Sequence, residues 1–569
     1  MGAKMKQRIK QILEKYWFII AIILLAIIKQ LLVANIPITP YPNQLSDDDM
    51  MVEMAKSIRA GNWLGEYSSN TLVKGPVFPI ILAIINYFGF SYIGAMNFIY
   101  TISCIYFIYT IKDIFRTKKS LFVIYTVLLF NPVSYAWWTL QRVYRNGITL
   151  AQVLVIISSL FAVYRRRDES IKKMLPFSII GGIALASLWL TREDGIWILP
   201  FTIVVILLTL ILIVIKSKKQ QMNWKELGSR VVVTILPIII LFCSLHAVRF
   251  VNYMNYGVYV YNEINDGYFG KVIKTIYSVK TDENIEYVTA TRQKINLLYE
   301  NSETLNSIKA ELEESLDSWD LCDRNPEDTQ VEDGWFWWAL KGAAENAGMY
   351  ENAEKSNEFY KKVYEEINLA IKDGKIDTQS TMPSNLMSPW KNEYFVSLPK
   401  TMLKTACYIV NFEGVETVNT AGDIPIDFVG TRKFEAITNN LAASNVNETS
   451  NEIDNTSKYT EKYVDRVNAI GRIYKGAGLI LAVIAIICYI IVTIRLIKTK
   501  ERSKIIDNWL LFSGVACSLI VLIGGVSYNH ITSCYSIYYM YLSGAYPLVT
   551  IFSACNICYL AENKKEREK

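Results

Sequence analysis

Long apolar runs constrain this chain more than any other feature of its sequence. The chain has 569 residues, 52% of them hydrophobic, and several of its apolar runs are long enough to cross a hydrocarbon core of about 30 Å. Runs of that length predict membrane-spanning helices. We therefore expect a mainly α-helical fold with many passes through a cell membrane.

The basic residues predict the direction of those passes. The net charge of +6 comes mostly from the loops, and loops rich in lysine and arginine tend to stay on the cytoplasmic side. Both termini are basic, so we expect both in the cytoplasm. Six basic clusters should be cytoplasmic: 4–15, 112–119, 165–173, 216–230, 495–504 and 564–569.

Ten spans place every basic cluster on the cytoplasmic side of the membrane. We predict them at about 17–36, 95–112, 121–138, 147–164, 175–191, 196–215, 231–249, 474–494, 508–527 and 533–559. The apolar run at 76–93 is left over, because an eleventh span would put all later basic clusters outside. We interpret this run as an interfacial or re-entrant helix. The alternative, a true span with a compensating error elsewhere, stays open.

The same topology divides the chain into three parts. Residues 1–250 form an N-terminal transmembrane module of seven spans, with a first outer loop at 37–75. Residues 251–472 form a large extracytoplasmic domain, long enough to bury its own core, and its most regular stretch predicts a helical hairpin at 333–371. Residues 473–569 form a C-terminal module of three spans.

Several kinds of chemistry find no support in this sequence. The chain has only two histidines and no Cys-x-x-Cys pair, so we expect no zinc site. It has no Walker loop, no Rossmann glycine fingerprint and no Gly-x-Ser-x-Gly motif, which argues against nucleotide hydrolysis and serine hydrolase chemistry. We expect no nucleic-acid partner, and no cofactor is certain.

Three consecutive aspartates, Asp47, Asp48 and Asp49, follow the first span. The simple explanation is that Ser46 caps a helix whose N-terminal dipole the acids complement. Three acids exceed what capping needs, and they lie at the predicted outer surface of the membrane. We therefore expect them to act chemically. Three adjacent carboxylates could also hold a divalent cation.

A second charged motif, Arg192, Glu193 and Asp194, lies between the fifth and sixth predicted spans. One interpretation is an ordinary polar hairpin loop in which Gly195 supplies the turn. Placing three charged residues between two apolar spans costs more free energy than a neutral loop would. Five predicted spans precede this loop, which places it outside the cytoplasm. We therefore expect the three residues to bind a substrate.

Arg142 and Arg145 form a third motif, about one helical turn apart and therefore expected to point the same way. The number of predicted spans before them places both arginines outside the cytoplasm as well, where positively charged residues are depleted. A pair of arginines there indicates an anionic ligand, and lipid phosphate is the anion present at a membrane surface. Snorkelling to ordinary head groups is the alternative. Lys74, in the first outer loop, and Arg249 are weaker members of the same basic set.

The three motifs converge on one predicted face of the membrane, and the sequence around them resembles a known family. The acidic first loop, Gly-Asn-Trp at 61–63 and Lys-Gly-Pro-Val-Phe-Pro at 74–79 resemble the GT-C membrane glycosyltransferases, particularly the protein mannosyltransferase and aminoarabinose transferase branch. The Arg-Glu-Asp-Gly loop resembles a short motif of uncharacterised bacterial relatives. The likeness covers roughly residues 15–215, and Lys-Gly-Pro-Val stands where the family usually has His-Pro-Pro-Leu.

The resemblance implies an enzyme that moves a sugar from a polyprenyl-phosphate donor to an extracytoplasmic cell-wall polymer, lipid or protein. In that family an aspartate of the first outer loop is the base, which would be Asp48 or Asp49 here. Such a reaction needs a base for the acceptor and cations for the departing phosphate. Two alternatives stay open: a polytopic transporter or lipid flippase, and a noncatalytic surface protein that binds glycans through the aromatic run at 335–338.

Overall fold

A computed structural model of this protein describes residues 2–40, 47–319, 330–385, 387–419, 428–443, 451–499 and 503–565. Within these ranges the chain is mainly helical, and isolated bridges take the place of a sheet. The first nine helices are α1 (Gly2–Val33), α2 (Asp47–Arg59), α3 (Val77–Tyr87), α4 (Tyr92–Ile111), α5 (Lys118–Leu129), α6 (Asn146–Arg165), α7 (Ile171–Trp189), α8 (Leu199–Gln220) and α9 (Trp224–Tyr256).

The helices that follow are mostly shorter until the last three. They are α10 (Tyr268–Ser278), α11 (Arg292–Asn301), α12 (Glu303–Asn306), α13 (Lys309–Ser318), α14 (Asp333–Asn346), α15 (Ala353–Lys372), α16 (Tyr394–Val410), α17 (Phe428–Thr438), α18 (Asn451–Lys498), α19 (Ser503–Thr532) and α20 (Ala545–Lys565). The predicted cap Ser46 and residues 566–569 of the last basic cluster lie outside the described residues.

Eight helices in the described ranges are long and apolar enough to cross a membrane. They are Glu14–Val33, Tyr92–Ile111, Asn146–Arg165, Ile171–Trp189, Gly195–Gln220, Trp224–Tyr256, Tyr459–Lys498 and Ile505–Thr532. Each corresponds to one of the ten predicted spans. The prediction of a mainly helical fold is confirmed, and these eight helices have the length and composition of membrane spans.

The third predicted span, 121–138, is broken. α5 ends at Leu129, and the chain bends by 49° before it continues as Pro132–Gln141. Pro132 lacks the backbone N–H that would continue the helix, and the Asn131 side chain accepts a hydrogen bond from the Val133 N–H instead. If this bent pair counts as one span, the described residues hold up to nine.

The tenth predicted span, 533–559, differs more. Residues 533–544 form turns, and α20 begins only at Ala545. Gly544 packs so closely that a Cβ there would lie 2.9 Å from the Trp197 ring. α20 is not among the eight candidates found in the described ranges. The polar Ser-Gly turn therefore shortens a run that the sequence alone presented as one continuous helix.

The leftover run at 76–93 contains α3, an 11-residue helix that ends at Tyr87. At 1.5 Å per residue it is about 16 Å long, too short to cross a hydrocarbon core of about 30 Å. A turn follows in which Gly89 has a φ of +69°. α4 then begins at Tyr92, two residues before the predicted run ends.

The stretch at 333–371 consists of α14 and α15, with Gly348 at a φ of +74° between them. The two helices do not pack mainly on each other as a hairpin would. α14 packs against α13, and α15 packs against α10. All four contribute to one hydrophobic core, which Val73 of the first outer loop also enters. The first loop is therefore anchored in this domain.

Residues 428–443, which include α17, also contact the first loop and α3. α17 packs against α2 and α3, and the Ile38 N–H donates to the Leu441 carbonyl at 2.9 Å. The Asn86 side chain donates to the Ala436 carbonyl at 2.8 Å. These contacts fix α2 and α3 against residues 428–443.

Candidate functional site

The structure brings all nine predicted site residues into a connected set of contacts, which we call the charged cluster. Its members are Asp47, Asp48, Asp49, Lys74, Arg142, Arg145, Arg192, Glu193 and Asp194. They come from residues 47–74, from the segment before α6 and from the turn between α7 and α8. The fold therefore brings the three charged motifs close together.

The three aspartates at the start of α2 each contact a different cation. Asp47 pairs with Lys74 at 3.3 Å, Asp48 pairs with Arg142 at 2.6 Å, and Asp49 pairs with Lys433 of α17. Capping a helix N-terminus needs backbone N–H groups and no such cations. The aspartates therefore do more than complement the helix dipole.

Asp48 and Arg142 are joined by three hydrogen bonds. The Arg142 Nε lies 2.8 and 2.7 Å from the two carboxylate oxygens of Asp48, and its Nη2 lies 2.6 Å from one of them. Asp48 is fully buried. The Arg142 guanidinium also lies 4.9 Å above the Trp138 ring, which gives a cation–π contact.

A short π-helix, Trp137–Gln141, delivers Arg142 to this position. Single turns of π-helix are rare and are frequent at functional sites. Arg142 leaves the turn with an extended backbone, at φ −63° and ψ 121°, and Arg145 directly precedes α6. The expectation that the two arginines share one helical face was wrong, because both lie in the non-helical link between the π-helix, which ends at Gln141, and α6, which begins at Asn146.

Arg145 takes a different carboxylate. Its guanidinium pairs with Glu193 and donates to the Thr191 carbonyl at 3.2 Å. The Tyr144 ring lies 5.1 Å from both the Arg142 and the Arg145 guanidinium, and its hydroxyl donates to Asp47 at 2.6 Å. Tyr144 thus links the aspartates to both arginines.

Arg192 is 6% exposed and is held inside the turn between α7 and α8. It donates to both oxygens of Asp194, each at 2.7 Å, and to the Asn146 side chain at 2.5 Å. Glu193 does not share this partner: it pairs with Arg145, because the turn points the two acids to different partners.

Lys74 reaches the cluster because Gly75 packs directly on the turn after α7. A Cβ at Gly75 would lie 1.9 Å from the Leu190 carbonyl oxygen, so only glycine allows this approach. The Lys74 ammonium lies 5.5 and 5.7 Å above the Trp337 and Trp338 rings. Helix α14 therefore places two tryptophan rings beside the cation that pairs with Asp47.

The aromatic run of α14 is mainly core. Phe336 and Trp337 are buried, while Trp335 is 39% exposed and stacks on Trp319 with centroids 5.5 Å apart. The run therefore does not form one exposed platform.

Three polar atoms at the cluster are buried and have no hydrogen-bond partner within the described residues. They are the Trp138 Nε1, the Arg145 Nε and the Glu193 Oε1. Such groups are rare in folded proteins, and each calls for an explanation. A purely structural ion-pair network would be expected to satisfy them, so these atoms indicate a place for a ligand.

The electrostatic environment separates the two adjacent aspartates. Burial raises the pKa of Asp48 and outweighs the opposing effect of Arg142. Burial also acts to raise the pKa of Asp47, but Lys74, Arg145, the Tyr144 hydroxyl and Arg142 together lower it to about 2. Asp48 is therefore the better proton acceptor of the two.

A shared metal site for the three aspartates is not apparent. Across the described ranges, no group of three or more His, Cys, Asp or Glu side chains is arranged to hold a metal ion. The three carboxylates contact three different cations instead of one common point.

Sequence reasoning missed several members of the site. Lys433 bridges Asp49 and Glu53, the latter at 2.8 Å, and Tyr144 and Asn146 connect the motifs. Lys433 carried a usable signal, since it is another cation on the predicted outer side. The turns at 533–544 were missed because they were assigned to a span, yet the Met540 sulfur accepts from Arg142 at 3.4 Å.

The arrangement combines a buried carboxylate of raised pKa with three arginines of the same charged cluster. It can accept a proton and hold an anion within the same set of contacts. Comparisons with known proteins add no assignment, since no family model, curated protein or solved structure matches this chain.

Proposed function

We propose that this protein is a membrane glycosyltransferase of the GT-C type, which moves a sugar from a polyprenyl-phosphate donor to an extracytoplasmic acceptor. The acceptor would be a cell-wall polymer, a lipid or a protein. The observation that carries the proposal is the direct contact between a fully buried first-loop carboxylate, Asp48, and Arg142 from a separate loop. This pairing supplies the base and the phosphate-binding cation side by side.

Asp48 is the proposed base. Sugar transfer needs the acceptor hydroxyl to lose a proton as the glycosidic bond forms, and a positioned carboxylate accepts it. The raised pKa of Asp48 suits that role. Asp47, whose pKa is lowered to about 2, stays ionised and supplies fixed negative charge.

Arg142, Arg145 and Arg192 are the proposed donor-phosphate ligands. A guanidinium forks onto two oxygens of a phosphate as readily as onto a carboxylate. As the sugar leaves, negative charge grows on the phosphate, and preorganised cations stabilise it. Arg145 supports this role most directly, because its Nε is buried without a partner in the described part of the chain.

Binding of the donor would also prepare the base. In the structure each of these arginines holds a carboxylate. A phosphate that draws Arg142 towards itself would release Asp48 from its counter-ion. A buried carboxylate without a nearby cation has a higher pKa, so donor binding would make Asp48 a stronger base.

The proposed topology follows the charge pattern. Ten spans, with the bent pair and α20 as two of them, put both termini in the cytoplasm and residues 251–472 outside. The charged cluster, α3 as an interfacial helix and the outer domain then share the extracytoplasmic side. Both the lipid-linked donor and a water-borne acceptor can reach that side.

A transporter or flippase is the second candidate, and two observations favour it. Lys29 of α1 is fully buried, donates to Ser134 at 2.7 Å and lies 4.0 Å from the Tyr135 ring. It therefore sits against the 49° break between Leu129 and Pro132. Broken helices and intramembrane charges mark substrate sites in many transporters.

A transfer assay separates the two candidates. Membranes that contain the protein are incubated with a polyprenyl-phosphate hexose labelled in the sugar. The glycosyltransferase proposal expects label to leave the lipid and appear in an envelope acceptor, and it expects Asp48→Asn to abolish that movement. A transporter would move the labelled lipid across a sealed vesicle with its sugar–phosphate bond intact.

Asp168→Asn is the matched control. Asp168 has a side chain 50% exposed and pairs with Lys216 at 2.8 Å, in a different part of the chain from the charged cluster. Full transfer by this variant, together with none by Asp48→Asn, would support the proposal. Equal transfer by both variants would refute Asp48 as the base.

A further inference from the structure

Trp138 carries one of the few buried polar atoms that the fold leaves unused. Its indole Nε1 has no hydrogen-bond partner among the described residues. The indole N–H of a buried tryptophan normally finds an acceptor, and leaving it without one costs free energy. This atom therefore points to an acceptor that arrives with a ligand.

The rest of Trp138 is firmly held. Its backbone N–H donates to the Tyr539 hydroxyl at 3.0 Å, and its ring meets the Tyr538 ring edge to face with centroids 5.5 Å apart. Trp137 packs beside it at 5.1 Å. A donor fixed in this way is preorganised, so a ligand gains the hydrogen bond without ordering the side chain.

Trp138 also lies next to the proposed phosphate ligands, since the Arg142 guanidinium is 4.9 Å from its ring. In a polyprenyl-phosphate sugar, the ring that leaves is bonded directly to the phosphate. A group beside the phosphate-binding arginine therefore lies beside the sugar. Sugar rings present hydroxyl acceptors and apolar C–H faces, which match an indole N–H and the half-buried Tyr538 ring.

We infer that Trp138 and Tyr538 form the subsite for the transferred sugar ring, with the Trp138 Nε1–H donating to one ring hydroxyl. This inference rests on the proposed function and adds a specificity-determining residue to it. A site built to bond a hydroxyl rejects analogues that lack it, because its own polar group is then left buried and unpaired. Trp138 should therefore select among donor sugars.

The test compares the parent with Trp138→Phe on polyprenyl-phosphate hexoses and their monodeoxy analogues. The parent should discriminate against one deoxy analogue, and Trp138→Phe should lose that discrimination while keeping the others. For the full sugar, we expect kcat/KM to fall roughly 2- to 12-fold, the effect of one neutral hydrogen bond. Inhibition by polyprenyl phosphate without a sugar should not change.

Trp335→Phe is the matched control, since Trp335 is 39% exposed on α14 and should show the parent's pattern. A Trp138→Phe enzyme that keeps every preference of the parent overturns the inference and leaves the proposed function standing. A parent that transfers no sugar from any donor overturns both. A uniform loss on all donors, with weaker inhibition by polyprenyl phosphate, would assign Trp138 to supporting Arg142 and also overturn the inference.

Discussion

Arg142 holds both carboxylate oxygens of Asp48 at 2.6 to 2.8 Å, although the two residues lie 94 positions apart in the chain. The pair is buried, with side chains 14% and 0% exposed. A buried ion pair often stabilises a fold no better than apolar residues of the same size would. Its presence beside a second arginine and a second aspartate therefore calls for a role beyond stability.

The first prediction separates catalysis by Asp48 from simple ion pairing. We expect Asp48→Asn to lower sugar transfer by about 10²- to 10⁴-fold, because a positioned base is lost. Removing one partner of a buried pair also costs stability, on the order of 3 to 5 kcal/mol. Transfer rates and thermal unfolding of the purified variants measure the two effects separately.

The double variant Asp48→Asn, Arg142→Gln is the control for this first prediction. It removes the uncompensated charge and should recover part of the lost stability. Transfer should stay absent. If stability and transfer return together, the pair is structural, and Asp48 is not the base.

The second prediction concerns the arginines. Lysine keeps the charge but loses the fork that matches a phosphate, so Arg→Lys at 142, 145 or 192 should raise the KM for the donor strongly, and Arg→Gln should abolish donor use. Arg230→Lys is the matched control, because Arg230 also donates twice to a carboxylate, that of Glu226, at 2.9 and 3.1 Å, and lies outside the charged cluster. Donor titrations that find all three cluster variants equal to the parent would rule out the proposal that these arginines bind the donor phosphate.

The third prediction uses the pKa of Asp47, which lies at about 2 in the folded protein and near 3.9 in an unfolded chain. A carboxyl with a lowered pKa stabilises the fold above its unfolded pKa, and this contribution, on the order of 2 kcal/mol, disappears as the pH falls from about 4 to 2. Asp47→Asn should therefore unfold at a lower temperature than the parent at pH 6. The gap should close on acidification, and a gap that does not depend on pH would contradict this.

The fourth prediction tests the packing that carries Lys74. Gly75→Ala would place a Cβ 1.9 Å from the Leu190 carbonyl oxygen, so the turn must move and Lys74 must leave Asp47. We expect lower thermal stability and weak transfer. Gly228→Ala is the control, since nothing lies within 4 Å of a Cβ there. Similar behaviour of the two variants would show that the close approach is not needed.

The fifth prediction is topological. In a chain otherwise free of cysteine, Ser307→Cys should react with an impermeant thiol reagent in intact cells, and Ser170→Cys should react only after lysis. Both positions are exposed, unlike Ser302, which is 1% exposed and bonded to Glu366. Protection of Ser307→Cys in intact cells would invert the proposed orientation.

The eight candidate spans were predictable because apolar length and periodicity are local properties. The break at Pro132 and the late start of α20 were not predicted, since each depends on a few residues inside an apolar run. Asn131 and Pro132 were a readable signal for the break. For the turns at 533–544, the sequence carried a weaker signal, the pair Ser543 and Gly544.

Nine charged members of the candidate site were named from the sequence, but Lys433, Tyr144 and Asn146 were not, and neither was the pairing among the charges. Asp49 meets Lys433, and Glu193 meets Arg145 rather than Arg192. Such choices depend on the π-helix before Arg142 and on the fit of Gly75 against Leu190. Neither is encoded in a local pattern, because both arise only when separate loops pack together.

The most direct test of the account is a density map of the protein with a polyprenyl-phosphate sugar bound. We expect the phosphate within hydrogen-bond distance of Arg142 and Arg145, with Asp48 released from Arg142 and facing the sugar carbon bonded to the phosphate. A donor lipid bound elsewhere, with the Asp48–Arg142 pair intact, would contradict the proposal that the charged cluster is the active site of a glycosyltransferase.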